Sequence, residues 1–206
     1  MCMNILDKLE RKFPFLSFPN LNLYMVIIFL VGLVINMINP SFYFLYLSLN
    51  VGAVLNGQIW RLITFIFYPI TSSGYILLSL LMIYVYYSIT KTLVMMWGNF
   101  KFNLYLFIGY ISQIVAAFAT YFILKRPVIF VPSYTVFSLI MAFALTFPDA
   151  YFMIYFLIPI KAKYIAYLEI AFYIWMFLGS GIEDRIAIAC SAINVIVFFV
   201  LLKNKI

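Results

Sequence analysis

Histidine is absent from all 206 residues. A serine nucleophile needs a neighbouring base, most often histidine, so its absence removes the commonest route to that chemistry. Charge is almost as scarce. Only 9% of residues are charged and six are acidic, against about a quarter charged in soluble domains. Such a chain lacks the means to clothe a water-facing surface. Cysteine occurs twice, as Cys2 and Cys190, one terminal and one inside an apolar run. Neither a disulfide nor a metal-ligand spacing follows from that pair, and no metal or cofactor is expected.

What the chain has instead is apolar length. Two thirds of it is hydrophobic, in continuous runs of about 17 residues or more, enough to cross about 30 Å of hydrocarbon as helix. The runs do not alternate as barrel strands would, so helices are the expected spanning form. The net charge of +7 is scattered at the ends of these runs. That distribution suits the topology bias of membrane proteins and excludes a nucleic-acid patch. Residues 1–20 carry both charge signs and no small-residue cleavage site. They read as a retained amphipathic helix on the inner face, with Ile5, Leu6, Leu9 and Phe13 on one stripe. Residues 21–206 form the membrane domain, with no repeat or second domain.

The first span is expected from Leu21 to Ile38. An aromatic-rich connection follows, Ser41 to Ser72, interrupted by Asn50, Gly52, Gly57, Arg61 and Pro69. It is too broken for a clean span and too apolar for a solvated loop, which predicts a partly embedded one. Later spans are expected at Ser73 to Thr90, Leu104 to Leu124, Tyr164 to Leu178 and Ile186 to Leu202. Between the third and fifth lies a short helix, opening near Pro132-Ser133 and stopping at Pro148. At about 22 Å it falls short of a whole bilayer. Ala150 to Ile160 is shorter still and is expected to be re-entrant or interfacial.

Six spans put both termini on one side. Lys8, Arg11, Lys12, Lys91, Lys101, Lys161, Lys163, Lys203 and Lys205 then lie inside, against Arg61, Lys125, Arg126 and Arg185 outside. Nine against four predicts cytoplasmic termini.

Gly57-Gln58-Ile59-Trp60-Arg61-Leu62-Ile63-Thr64 resembles the Trp-Arg motif in the first loop of rhomboid proteases and their derlin relatives. Met96 to Phe102 resembles that family's stretch after the second helix. Phe147-Pro148-Asp149 and Ile158 to Lys163 resemble its link between the fourth and fifth helices. The ordered set covers roughly residues 21–202. It implies an all-α, six-helix rhomboid-like bundle with an embedded first loop. The family's Gly-x-Ser-Gly corresponds here to Val131-Pro132-Ser133-Tyr134, with both glycines lost. Glycine lets a backbone approach substrate closely; Tyr134 is expected to crowd the site, and Pro132 removes an amide donor. The position of the partner histidine, within Ile186 to Ala192, holds no base, and no lysine lies in the fourth or sixth span. The resemblance therefore implies an inactive rhomboid-like protein, a pseudoprotease in a bacterial-type plasma membrane. It would bind transmembrane segments of client proteins for quality control or trafficking, with a membrane protease as a further partner.

Each candidate residue has a plainer reading beside the functional one. Ser133 reads either as a helix N-cap or as a degenerate nucleophile. Trp60 and Arg61 read as interfacial anchor and snorkelling charge, or as the hub that orders the loop through its carbonyls. Glu169 is the one acid inside a span, about 9 Å beyond Lys163 along the helix. It is either a neutral hydrogen-bonded acid or a functional group, with Gln113 and Asn194 as partners or as helix glue. Glu183-Asp184-Arg185 caps the last helix or meets Lys125-Arg126. Two other classes remain open: an active intramembrane serine protease using Ser133 with an atypical base, and a small transporter built on Glu169.

Overall fold

A computed structural model describes residues 5–68, 76–126, 128–154 and 158–202. Pro69, the start of the second expected span, Cys2, Lys203 and Lys205 lie outside the described residues. The described chain is dominated by helices. Three of them, α2 (Leu21–Ile38), α5 (Ile76–Trp97) and α6 (Asn99–Leu124), are long and apolar enough to cross a membrane, and α7 (Ser133–Thr146) is a shorter apolar helix. Two further helices, α8 (Ala162–Gly179) and α9 (Ile182–Leu202), complete the bundle.

The chain opens with α1 (Ile5–Lys12), which buries Leu6 and leaves Lys8, Arg11 and Lys12 exposed. A 3-10 turn, Pro14–Ser17, leads to α2. Asn103 fixes this entry, its Nδ2 donating to the Leu16 carbonyl at 2.7 Å and the Phe18 carbonyl at 2.8 Å. The N-terminal segment is therefore docked on the bundle rather than trailing from it.

Several expected boundaries move. Helix α5 runs on past Thr90 to Trp97, and α6 starts at Asn99 rather than Leu104. Residues 91–97 include no proline, and their Leu, Val and Met residues continue a helix readily. The break falls on Gly98, at φ 81°, a conformation that glycine adopts without a steric penalty. At the other end, α9 begins at Ile182 and takes Glu183 and Asp184 into its first turn, where acids meet the helix dipole favourably.

Helix α6 is the axis of the bundle. Phe102, Tyr105, Leu106, Tyr110 and Gln113 are all buried on it, spread over more than one face. Its small residues Gly109, Ala116 and Ala117 let neighbours approach closely. Helices α5, α7 and α9 pack around it.

Two short antiparallel pairs interrupt the helical pattern. Strand β1 (Leu49–Asn50) pairs with β2 (Ile129–Phe130), tying the connection after α2 to the segment before α7. Strands β3 (Tyr151–Ile154) and β4 (Ile158–Lys161) form a hairpin in which Tyr151 faces Lys161. In the segment expected to be re-entrant or interfacial, 150–160, the described residues thus form paired strands, which suits their β-branched and aromatic residues.

Asp149, at the foot of that hairpin, accepts from Lys161 Nζ at 3.1 Å and lies 3.6 Å from Lys163 Nζ. The hydrogen bond from Lys161, then the charges of both lysines, hold its carboxyl below the usual aspartate range. A depressed folded-state value stabilises above the unfolded value, and that contribution is lost as pH falls through the folded one. Protection factors of the hairpin amides, which remove the intrinsic pH dependence of exchange, are accordingly expected to stay constant from neutral pH to the ordinary aspartate range and to fall only below it. Asp149→Asn should remove that fall.

Candidate functional site

The connection between α2 and α5 is built as a cage for one arginine. It starts with a π-helical turn, Tyr43–Leu47, and continues through β1 into α3 (Val51–Leu55), where Asn50 Oδ1 accepts from the Ala53 amide at 3.1 Å. Gly57, at φ 97°, turns the chain back, and α4 (Arg61–Thr64) then runs beside the π-turn. The last carbonyls of a helical turn have no partner within it, and in apolar surroundings water is not there to supply one. Here four in a row are met by side chains of a single short stretch. Arg61 Nη2 donates to Leu45, Trp60 Nε1 to Tyr46 at 3.2 Å, Thr64 Oγ1 to Leu47 at 3.1 Å and Arg61 Nη1 to Ser48 at 2.9 Å. Arg61 Nε donates to Gln58 Oε1 at 2.7 Å, so the guanidinium is engaged on all three nitrogens while only 4% exposed. Burial lowers its pKa from the ordinary value, and this ring of oxygens offsets the cost of desolvation. Tyr43 closes the loop by donating to the Phe65 carbonyl at 2.8 Å. Gln58 and Thr64 lie inside the Trp-Arg stretch, but backbone acceptors leave no mark in a sequence.

Ser133 is not an N-cap. It is the first residue of α7, and Pro132 holds the cap position without a side-chain hydrogen bond. Pro132 and Ser133 line a cavity of about 220 Å³ between α2, α5 and α7, walled by Phe29, Tyr86, Ile89 and Phe137. The serine hydroxyl thus stands beside an apolar hollow. Tyr134 was expected to crowd this place, yet it turns towards α8 and α9. Its hydroxyl donates to Asp184 Oδ1 at 3.1 Å, and its ring stacks on Tyr173 with centroids 6.4 Å apart. The neighbouring acid, Glu183, pairs with Arg126 at 3.1 Å, while Arg185 donates to the Leu178 carbonyl.

Helices α6, α7 and α9 meet at Gly109. A Cβ there would stand 2.9 Å from Thr135 Cγ2 and 3.0 Å from Asn194 Nδ2. The polar groups at this junction are a threonine hydroxyl and an amide, neither able to act as a base at neutral pH. Gln113 lies one turn along α6, 1% exposed. Among the described residues, Gln113, Thr135 and Asn194 make no side-chain hydrogen bond through their buried polar atoms.

Glu169 makes no hydrogen bond to that junction. Gln113 and Asn194 were its expected partners, but no hydrogen bond joins either to it. Tyr105 and Tyr173 are the phenols that interact electrostatically with it. Tyr105 donates to the Ser138 carbonyl at 2.9 Å. Tyr173 follows Glu169 at i+4, a spacing that places both on one helix face and is legible in the sequence. Among the described residues no group of three metal-ligating side chains occurs. Compared with protein-family models, with curated proteins and with solved structures, the chain matches none.

Proposed function

We propose that this chain is a rhomboid-like pseudoprotease that holds transmembrane segments of client proteins without cutting them. Its six spans are α2 and α5 to α9, with both termini on the cytoplasmic side of a bacterial-type plasma membrane. The observation that carries the reading is the setting of Ser133. Its helix opens on an apolar cavity, no histidine occurs anywhere in the chain, and α7 and α9 contain no lysine. A serine hydroxyl in such a setting is a poor nucleophile.

Two features support client binding. The Arg61 cage holds an irregular loop rigid where bulk lipid would not tolerate unmet carbonyls. Beside it, α7 is only 14 residues long, about 21 Å against about 30 Å of hydrocarbon. A short helix next to an embedded loop thins the bilayer locally, which lowers the penalty on a client helix carrying polar groups.

Two measurements test this. A photo-crosslinker at Phe137, on the wall of the cavity, should capture membrane proteins in native membranes; capture of lipid alone would refute client binding there. A fluorophosphonate probe should leave Ser133 unlabelled. Labelling of wild type that Ser133→Ala removes would instead establish an enzyme.

A further inference from the structure

Helix α8 turns a narrow stripe inward, Ala162, Ala166 and Glu169. Glu169 is 8% exposed, and among the described residues neither carboxylate oxygen has a hydrogen-bond partner. The phenols near it carry no positive charge. Three of the chain's cations are engaged elsewhere: Arg61 in its loop cage, Arg126 with Glu183, and Lys161 with Asp149. An acid at this depth is costly until a partner arrives.

One turn along α8 from Glu169, a groove of about 560 Å³ runs between α7, α8 and α9, with the acid enclosed behind its lining. Its lining includes the small residues Ser138, Ala189, Ser191 and Ala192, the kind of surface on which a second helix packs backbone to backbone. Tyr173 joins groove and acid: it lines the groove, and it stands at i+4 from Glu169 on the same helix face. Glu169 is one turn further along α8, a rise of about 6 Å, which a long flexible side chain can span.

We infer that this groove seats a partner's transmembrane helix carrying a lysine or arginine in its apolar core, with Glu169 as the counter-ion. The inference rests on the reading that the chain binds transmembrane helices, adds this groove as a second surface beside the cavity at Ser133, and names the client's chemistry. A lone cation in a lipid-embedded helix carries the same penalty as the lone carboxylate, and each is the other's remedy. Selectivity follows, because a wholly apolar helix gains nothing from Glu169.

The test uses the full chain, donor-labelled in phosphatidylcholine vesicles, and two acceptor-labelled Leu/Ala transmembrane peptides. They differ only at one central position, lysine in one and leucine in the other. Energy transfer should report about tenfold tighter association of the lysine peptide. Glu169→Gln should bring the lysine peptide down to the leucine peptide's level while leaving the latter unchanged, which also shows that the variant is folded. Glu169→Asp should keep part of the preference. Equal binding of both peptides to wild type would overturn this inference and leave client binding standing. Binding of neither would overturn both. A lysine preference that survives Glu169→Gln would remove Glu169 from the site. Self-association of the chain that depends on Glu169 would make a second copy the occupant and overturn the proposed partner.

Discussion

Arg61→Met is expected to destabilise the protein by about 4 kcal/mol, the largest loss from any single side chain in the loop. Methionine matches the length of the stem but donates nothing. The Leu45 and Ser48 carbonyls and the Gln58 side chain would then lose their donor together. A charge-assisted hydrogen bond contributes about 1.5 to 3 kcal/mol, and a buried acceptor left unmet costs about 1 to 3. Compensation by water is poor at a site that is almost wholly buried. For a chain of this size the loss corresponds to a fall in melting temperature of roughly 8 to 16 °C, taking about 2 to 4 °C per kcal/mol. Arg61→Lys should fall between, since one ammonium keeps the charge but lacks the planar fork that reaches separate acceptors. A thermal melt in detergent, followed by tryptophan fluorescence, distinguishes the variants. If Arg61→Met melts within about 2 °C of wild type, the cage is not what holds the loop, and the snorkelling reading of Arg61 returns.

The same residue marks how far sequence reaches in this protein. An arginine within an apolar, glycine-broken stretch already announces hydrogen bonds to carbonyls, because no other partner is at hand. Which carbonyls, and that they are four in succession at the end of a π-turn, depends on backbone geometry that residue identities do not encode. The first span was legible to the residue, since its ends coincide with a change from apolar to polar residues at Asn20 and Asn39. At the join of α5 and α6, Lys91 and Lys101 suggest a polar loop between spans ending at Thr90 and starting at Leu104. Lysines at a membrane interface tolerate helix equally well, and only Gly98 ends it. Ala150 to Ile160 reads from its length as too short to span, while the strand form of 151–154 and 158–161 is a matter of pairing between two segments.

The candidate site divides in the same way. Local consequences, such as the lack of a base near Ser133, follow from composition. Tertiary ones do not. Tyr134 adjoins Ser133 in sequence, yet its side chain belongs to Asp184 and Tyr173 across the bundle. Glu169 and Tyr173 could be paired from their i+4 spacing, whereas the amides Gln113 and Asn194 stand out only by being polar, and neither hydrogen-bonds to Glu169. Helix rotation decides such matters, and a nearly uniform apolar sequence carries little information about rotation.

Gly32→Ala tests the packing that fixes the loop to the bundle, and its sign is decisive. Inside a helix, alanine is ordinarily favoured over glycine by about 1 kcal/mol. At Gly32, however, a Cβ would collide with the carbonyl of Phe67, a backbone atom that has no rotamer into which to retreat. The 3-10 turn Phe65–Phe67 would have to lift off α2, carrying with it Phe65, which is fully buried, and the acceptor of the Tyr43 hydroxyl. Overpacking of this kind costs about 1 to 3 kcal/mol, and an immovable obstacle places Gly32→Ala towards the upper end. Gly179 provides the control, since a Cβ there meets nothing within 4 Å; Gly179→Ala should be neutral or slightly stabilising. The lifted turn would also displace Tyr68, which lines the cavity beside Ser133, so crosslinking from Phe137 should fall in Gly32→Ala and persist in Gly179→Ala. Equal melting temperatures for the two variants would mean that α2 and the loop can separate without cost. In that case the loop would be held by Arg61 alone, and the cavity beside Ser133 would have no fixed wall with which to recognise anything.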